Sequence, residues 1–475
     1  MKVRLAAFLY FVLIVTPAVA QVSRPNVEGN WLTTLDVNGV KVRLVVKISK
    51  AAHGYAAKLD SPDQNATDLP IDSVVLDGHK LTFTAAKFGI SYEGTLNEAA
   101  DEISGTFKQG AGATSMIFKR VAALPALNRP QDPKQPYPYD EQEVSYRNEK
   151  DNVKIAGTLT LPRGSGPFPA VLLITGSGSQ DRNESIAGHH PFLVLADHLT
   201  RNGVAVLRVD DRGVGDTDMG SLSATSENFA EDVLAGVGFL KQRKEVDPKL
   251  IGLIGHSEGG MIAPMVAARS NDVAFIVLLA GPGQRGEDVI YTQTELIHKA
   301  QGTPPARLAH IKALSQRINT IVKTETDGNR IEQRINDDIA AYAATLSEPQ
   351  RDQFEPAVAA VKPFIPLYKT AWYRYFITFD PQPVLKNVKV PVLALNGEHD
   401  LQVAWKENLD LIAAGLKAGG NADVTTKAFP KLNHLFQTSP TGLISEYGQI
   451  EETMSPEVLK TVSDWILSRT IRKAP

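Results

Sequence analysis

Residues 250–269 constrain the fold more than any other stretch of the chain. An apolar run ends in the motif GHSEGG at residues 255–260, and a run of small and apolar residues typical of a helix follows at once. In the pattern G-x-S-x-G the serine occupies a very tight turn at strained backbone angles, so the residues two positions away must lack bulky side chains. The pattern predicts a buried strand that delivers Ser257 to a strand-to-helix turn, where its hydroxyl stands clear of a sheet as a candidate nucleophile.

The rest of the chain beyond residue 140 alternates between strand-like and helix-like runs. The apolar strand-like runs lie at residues 170–175, 204–209, 250–254, 275–279, 390–395 and 424–428. Strands that are apolar throughout and separated by helices indicate a mostly parallel sheet covered by helices on both faces. Residues 284–386 interrupt this alternation of strands and helices with several helical stretches, which predicts a helical cap inserted between two strands of the sheet.

The first part of the chain has a different pattern. Residues 29–120 hold short runs that alternate apolar and polar positions, separated by turn residues, and this predicts a small antiparallel all-β domain, either a barrel or a sandwich. Five prolines in the polar segment 123–140 indicate a linker. The predicted domains are therefore a β-rich unit at 21–122, the linker, and an α/β domain at 141–475.

The first twenty residues have the pattern of an export signal. Lys2 and Arg4 precede an apolar core, and the sequence AVA at 18–20 precedes Gln21. The apolar core is too short for a stable membrane anchor, so the expected location is periplasmic or secreted. With no cysteine in the chain, disulfides and cysteine-based lipid anchors or metal sites are excluded. A net charge of -3 without a basic patch argues against nucleic acid as a partner.

A serine nucleophile needs a base and a residue that orients the base. In a parallel sheet both come from loops at the carboxyl ends of later strands. The run 390–395 is followed by a loop that contains Asp400, and the next strand-like run is followed by a loop that contains His434. The order serine, acid, histidine suits this sheet type. We predict Asp400 as the acid and His434 as the base, with Glu398 as the rival acid.

The oxyanion formed during acyl transfer needs backbone NH donors. One donor is the Glu258 NH, at the start of the helix that follows the serine. The second comes from the glycine-containing loop TGSGSQDRN at residues 175–183, where we choose the Ser177 NH, with Gly178 next.

Two other groups near this site have less specific patterns. The aromatic residues Trp372, Tyr373 and Phe376 in the predicted cap are candidates for lining an acyl pocket, although such a cluster is as often the core of a cap. The charged segment 210–216 is interpreted as a salt-bridged turn that supports the site.

The chain resembles exported bacterial α/β-hydrolases of the EstD-like serine carboxylesterase group. Four motifs carry the resemblance in order: TGSGSQDR at 175–182, DDRGVG at 210–215, GHSEGG at 255–260 and LNGEHDLQV at 395–403. It covers roughly residues 143–469, and some members carry a β-rich N-terminal domain. The resemblance implies an α/β-hydrolase fold, Ser257 as nucleophile, Asp400 as acid, His434 as base, and oxyanion donors near Ser177 and Glu258.

The expected function is therefore a serine ester hydrolase that forms an acyl-enzyme on small-molecule esters with short or small apolar acyl groups. No cofactor or metal is implied. Because the triad does not distinguish esters from amides, an aminopeptidase-like serine peptidase is the alternative, with Glu258 and Asp380 as possible anchors for a free amine. A non-catalytic binding protein on the same fold is the second alternative.

Overall fold

The structure is a computed structural model that describes residues 25–37, 40–62, 66–109, 112–123 and 128–470. The described residues divide into two compact units: residues 25–35, 43–61, 66–109 and 112–123 belong to the first, and residues 36–37, 40–42, 62 and 128–470 belong to the second. The predicted signal peptide, residues 1–20, lies outside the described residues. In the predicted linker, residues 128–139 contain neither helix nor strand.

The first unit contains a nine-stranded sheet with the order β4-β3-β2-β1-β9-β8-β7-β6-β5. Its described strand pairs are antiparallel, and the core includes Trp31, Phe83, Tyr92 and Phe118. The strands are β1 (Gly29–Val37), β2 (Val40–Lys50), β3 (Tyr55–Ser61), β4 (Ala66–Pro70), β5 (Ser73–Asp77), β6 (Lys80–Ala85), β7 (Ile90–Leu96), β8 (Glu102–Gln109) and β9 (Gly112–Val121).

The second unit is built on an eight-stranded sheet with the order β10-β11-β13-β12-β14-β15-β16-β17. The pairs β10–β11 and β11–β13 are antiparallel, and the pairs from β13 onward are parallel. The strands are β10 (Asp140–Asn148), β11 (Val153–Leu161), β12 (Phe168–Ile174), β13 (Ala205–Val209), β14 (Val246–His256), β15 (Phe275–Leu279), β16 (Val392–Gly397) and β17 (Val424–Phe429).

Helices cover both faces of this sheet. They are α1 (Pro191–Arg201), α2 (Ser226–Lys241), α3 (Gly259–Ala267), α11 (Trp405–Ala418) and α12 (Pro456–Thr470). Along β12, Leu172 belongs to the core shared with α2 and α3, whereas Val171 and Leu173 belong to the core shared with α1 and α12. A strand buried on both faces reads as a continuous apolar run, which is why β12 shows no polar alternation.

Seven further helices lie between β15 and β16. They are α4 (Gly286–Ala300), α5 (Pro305–Thr324), α6 (Gly328–Ala344), α7 (Glu348–Val361), α8 (Ile365–Tyr368), α9 (Ala371–Thr378) and α10 (Pro381–Leu385). Their apolar faces pack into one core around Ile318, Ile335 and Phe354. The predicted fold class, an α/β-hydrolase fold with a helical cap after an antiparallel β domain, is confirmed. Among the described residues, no helix combines the length and apolarity needed to cross a bilayer.

Candidate active site

The structure places Ser257 on a tight turn between β14 and α3. Its φ angle is 52°, in the left-handed region, and its NH donates to the Leu279 carbonyl of the neighbouring strand at 2.8 Å. A Cβ on Gly255 would lie 2.0 Å from the Gly259 carbonyl oxygen, and a Cβ on Gly259 would lie 2.1 Å from the Ile174 oxygen. The two motif glycines are therefore required because the turn brings backbone against backbone on both sides of the serine.

Asp400 and His434 meet at the carboxyl ends of β16 and β17. The His434 Nδ1–H donates to Asp400 Oδ2 at 2.8 Å, and the side chains are 5% and 0% exposed. Asp400 Oδ1 accepts from the NH groups of Gln402 and Val403 at 2.8 and 2.9 Å, which fixes the carboxylate. This arrangement directs Nε2 of His434 away from the acid, where a general base needs it.

The rival acid Glu398 has an exposed side chain. His434 takes its carboxylate partner from Asp400 instead. Glu398 and Asp400 have only one residue between them in the same loop, so the order of residues in the sequence does not show which of them pairs with His434.

Ser257 and His434 line the same cavity, which has a volume of about 220 Å³. Among the described residues the Ser257 hydroxyl makes no hydrogen bond in this structure, so it is not yet bonded to His434. In unliganded enzymes such bonds are often long and shorten when substrate binds. Ser177, Glu258, Trp372 and Phe376 line the same cavity.

The two predicted oxyanion donors border this cavity. The neighbouring Gly176 NH is already used, since it donates to Glu184 Oε1 at 2.8 Å. Within the described part of the chain, the NH groups of Ser177 and Glu258 have no protein acceptor, and helix α3 begins directly after Glu258. Both NH groups are therefore free to bind an oxygen that develops negative charge in front of Ser257.

A buried pair, Glu184 and His256, lies beside the site and is not predicted from the sequence. His256 Nδ1 bonds to Glu184 Oε1 at 2.9 Å, and its Nε2 bonds to the His434 carbonyl at 3.0 Å. Burial opposes a charge on His256, but the Glu184 carboxylate outweighs it and the pKa of His256 is raised. Glu184 sits among polar loop residues, so nothing in its local sequence indicates that its carboxyl is buried.

The candidate pocket aromatics separate into two groups on α9. Trp372 and Phe376 are four residues apart, share one helix face and line the cavity. The prediction for Tyr373 is corrected: its side chain is buried in the cap, and its hydroxyl donates to Asn319 Oδ1 at 2.9 Å. Tyr373 lies one position after Trp372, about 100° around the helix, and its side chain is buried against Asn319.

Glu258 is a buried carboxyl group at the site. The residue is 3% exposed, and Oε1 accepts from Ser226 Oγ at 2.5 Å and from Trp372 Nε1 at 2.7 Å. Burial raises its pKa, although these neutral donors act in the opposite direction. The group is therefore held by neutral partners.

The charged segment after β13 supports the loops around the site. Asp210 pairs with Arg182 at 2.6 Å, which ties this segment to the loop after β12. Arg212 pairs with Asp151 and Asp232, each at 2.6 Å. These are the ion pairs of a supporting turn.

The chain matches a known protein family over much of its length. A family model described as X-Pro dipeptidyl-peptidase (S15 family) matches residues 151–421, more than half of the chain. The chain belongs to the S15 family. This S15-family chain is 28% identical to Esterase EstD of Thermotoga maritima over 347 residues, which cover 72% of the chain and 71% of EstD.

Two other similarities are shorter or more distant. Putative hydrolase YtaP of Bacillus subtilis is 33% identical over 131 residues, which cover 24% of this S15-family chain and 43% of YtaP. The solved structure of a Pyrococcus furiosus esterase is 18% identical with a TM-score of 0.43, and the match covers 70% of this chain and 92% of that one. The predicted EstD-like α/β-hydrolase class is confirmed, and the chain is a serine hydrolase.

Proposed function

We propose that this protein is a carboxylic ester hydrolase that works through Ser257, His434 and Asp400 and forms an acyl-enzyme. The observation that carries the proposal is the buried Asp400–His434 hydrogen bond of 2.8 Å beside the cavity that Ser257 lines. The similarity to EstD, an esterase by name, supports the ester as the bond that is cleaved.

The positions of these groups support the following reaction. His434 Nε2 takes the proton of the Ser257 hydroxyl as its oxygen attacks the ester carbonyl, and Asp400 stabilises the imidazolium that forms. The NH groups of Ser177 and Glu258 donate to the carbonyl oxygen as it becomes negative. The imidazolium then protonates the departing alcohol, and a water molecule activated by His434 releases the acid from Ser257.

The cavity supports small acyl groups as the preferred substrates. Its volume of about 220 Å³ is below the roughly 300–1,000 Å³ of typical ligand pockets. Its walls include Val289, Ile290, Trp372 and Phe376, which favour apolar groups. We therefore expect esters of short or compact apolar acids to react fastest.

The test combines covalent labelling with turnover. Wild-type protein should react with a fluorophosphonate and hydrolyse p-nitrophenyl butanoate, whereas Ser257→Ala and His434→Ala should each lose nearly all activity while remaining folded. The exposed Ser221 provides the matched control, and Ser221→Ala should behave as wild type. Unlabelled wild-type protein, or full activity in Ser257→Ala, would refute the proposal.

A second candidate, a serine peptidase, is favoured by the matching family, described as X-Pro dipeptidyl-peptidase, and by one structural observation. The Glu258 carboxyl is buried next to Ser257 with neutral partners, a place where a substrate ammonium group could pair with it. The other suggested anchor, Asp380, instead caps α10 by accepting from the Gln382 NH at 2.9 Å. The deciding measurement compares kcat/KM for p-nitrophenyl butanoate with kcat/KM for aminoacyl and dipeptidyl p-nitroanilides. The ratio is corrected for the lability of the activated ester. A corrected ratio that favours an anilide selects the peptidase.

We also propose export to the periplasm or the medium, on the basis of the AVA sequence before Gln21. N-terminal sequencing of the protein from its native host should give Gln21 as the first residue. Recovery of Met1 in a cytosolic fraction would contradict export.

A further inference from the structure

A second cavity of about 460 Å³ lies against the cavity at Ser257. It is bounded by β12, by the end of β13, and by helices α2 and α3. Four residues line both cavities: Gly176, Ser177, Glu258 and Trp372. The larger cavity thus begins at the residues that carry the proposed oxyanion donors, and its volume falls within the roughly 300–1,000 Å³ of typical ligand pockets.

A hydrogen-bonded pair of side chains, Trp372 and Glu258, lies at the boundary between the two cavities. The Trp372 indole donates from Nε1 to Glu258 Oε1 at 2.7 Å. The indole also stacks on Phe376, with ring centroids 5.6 Å apart and planes at 22°. The Trp372 side chain therefore stands where a chain leaving the ester carbonyl would enter the larger cavity.

The walls of the larger cavity favour apolar ligands. Aliphatic and aromatic side chains dominate them, among them Leu172, Ile174, Phe229, Val233 and Ile262.

The charged groups on those walls have protein partners. Arg212 is paired with Asp232, and Asp210 is paired with Arg182. The Nη1 atom of Arg212 is buried without a hydrogen-bond partner among the described residues. Asp211 accepts from Thr175 Oγ1 at 2.8 Å, and burial raises the pKa of Asp211 to about 7. An apolar chain therefore meets charged side chains that each have at least one protein partner.

We propose that the larger cavity is a latent acyl subsite, which the Trp372 indole closes to extended, unbranched aliphatic acids in the wild-type protein. The inference rests on the proposed ester hydrolysis at Ser257. The carbonyl carbon must lie at Ser257 with its oxygen on Ser177 and Glu258, and the latter two residues border the larger cavity. An acyl chain that displaces the indole passes directly from the reaction centre into an apolar space.

The experiment measures kcat/KM for p-nitrophenyl esters from ethanoate to dodecanoate. In wild-type protein kcat/KM falls for acyl chains longer than butanoate, because the Trp372 indole blocks entry to the larger cavity. In Trp372→Ala the ratio of octanoate to butanoate rises tenfold or more, since each buried methylene is worth up to about fourfold in kcat/KM. Tyr375→Ala is the matched control on the same helix, because Tyr375 lies outside both cavities and bonds to Glu227 at 3.2 Å.

A second substitution tests whether the chain truly occupies the larger cavity. Val233 lines it from α2, so Val233→Phe in the Trp372→Ala background should return the octanoate ratio toward the wild-type value while butanoate turnover persists. Should Trp372→Ala not fold, Trp372→Phe, which keeps a ring but has no NH to bond to Glu258, should shift the ratio in the same direction.

The outcomes separate this inference from the proposed function. Fluorophosphonate labelling of every variant reports on Ser257 alone, so unlabelled wild-type protein refutes ester hydrolysis itself. The acyl subsite is overturned if the variants are labelled but Trp372→Ala and Tyr375→Ala show the same dependence of kcat/KM on acyl chain length. The acyl subsite is also overturned if adding Val233→Phe to Trp372→Ala leaves the ratio of kcat/KM for octanoate to that for butanoate unchanged.

Discussion

Replacement of Glu184 with glutamine tests the buried pair that Glu184 forms with His256. The two side chains are 3% and 8% exposed. Glu184 Oε1 accepts from both His256 and the Gly176 NH, so this one oxygen joins the loop after β12 to the strand that carries the nucleophile. Glutamine has nearly the same shape and keeps an acceptor, but it removes the negative charge.

The magnitude follows from the hydrogen bonds of His256. Both ring nitrogens face acceptors, Glu184 at Nδ1 and the His434 carbonyl at Nε2. A neutral imidazole has only one NH, so both bonds form together only when His256 is protonated. Without the carboxylate the ring is neutral and one acceptor is left unpaired. The cost of a buried unpaired acceptor is about 1–3 kcal/mol in the free energy of unfolding.

The effect depends on pH in a defined direction. The folded-state pKa of His256 is raised above its unfolded value, which is about 6.5. The stability contributed by the pair is therefore fully present below the unfolded pKa and is lost as pH rises through the folded pKa. We expect the destabilisation caused by Glu184→Gln to be largest in mild acid and to shrink in alkaline solution.

The assay is urea unfolding followed by tryptophan fluorescence at several pH values. Glu457→Gln is the matched control, because Glu457 forms an exposed pair with Lys427 at 2.8 Å and such pairs contribute about 0–1 kcal/mol. A difference for Glu184→Gln that stays constant with pH, or is as small as the control, would refute the protonated state of His256.

Two further pairs of substitutions test the site and its turn. Asp400→Asn should lower kcat about 10⁴-fold because His434 loses its oriented tautomer, whereas Glu398→Gln should have a kcat near that of wild type. Steady-state kinetics of both variants provide the test. If Glu398→Gln loses more activity than Asp400→Asn, Glu398 is the acid. Gly255→Ala should destabilise the fold by more than about 1 kcal/mol, since its Cβ would lie 2.0 Å from a backbone oxygen. Gly238→Ala, in α2 with open space around the Cβ, should stabilise it by about 0.5–1 kcal/mol, and thermal unfolding compares the two.

The fold and the turn at Ser257 are predictable from the sequence because their causes are local. Glycine spacing dictates the turn at Ser257, and continuous apolar strands dictate a parallel sheet between helices. The burial of Glu184 depends on how one loop packs against β14, which no local pattern encodes. For α9, helical periodicity separates Trp372 from Tyr373, but only the packing of the cap determines which face meets the cavity. The nine strands of the first unit form one sheet, a count that alternation alone does not provide.

Position 258 has a consequence for how this enzyme can change. Its backbone NH faces the proposed oxyanion, whereas its side chain forms part of the wall of the larger cavity. Every residue type except proline supplies that NH. A substitution at position 258 should therefore alter the preference among acyl groups, while the backbone NH still stabilises the negative oxygen of the transition state. Directed evolution aimed at Glu258 can explore new substrates from variants that still turn over.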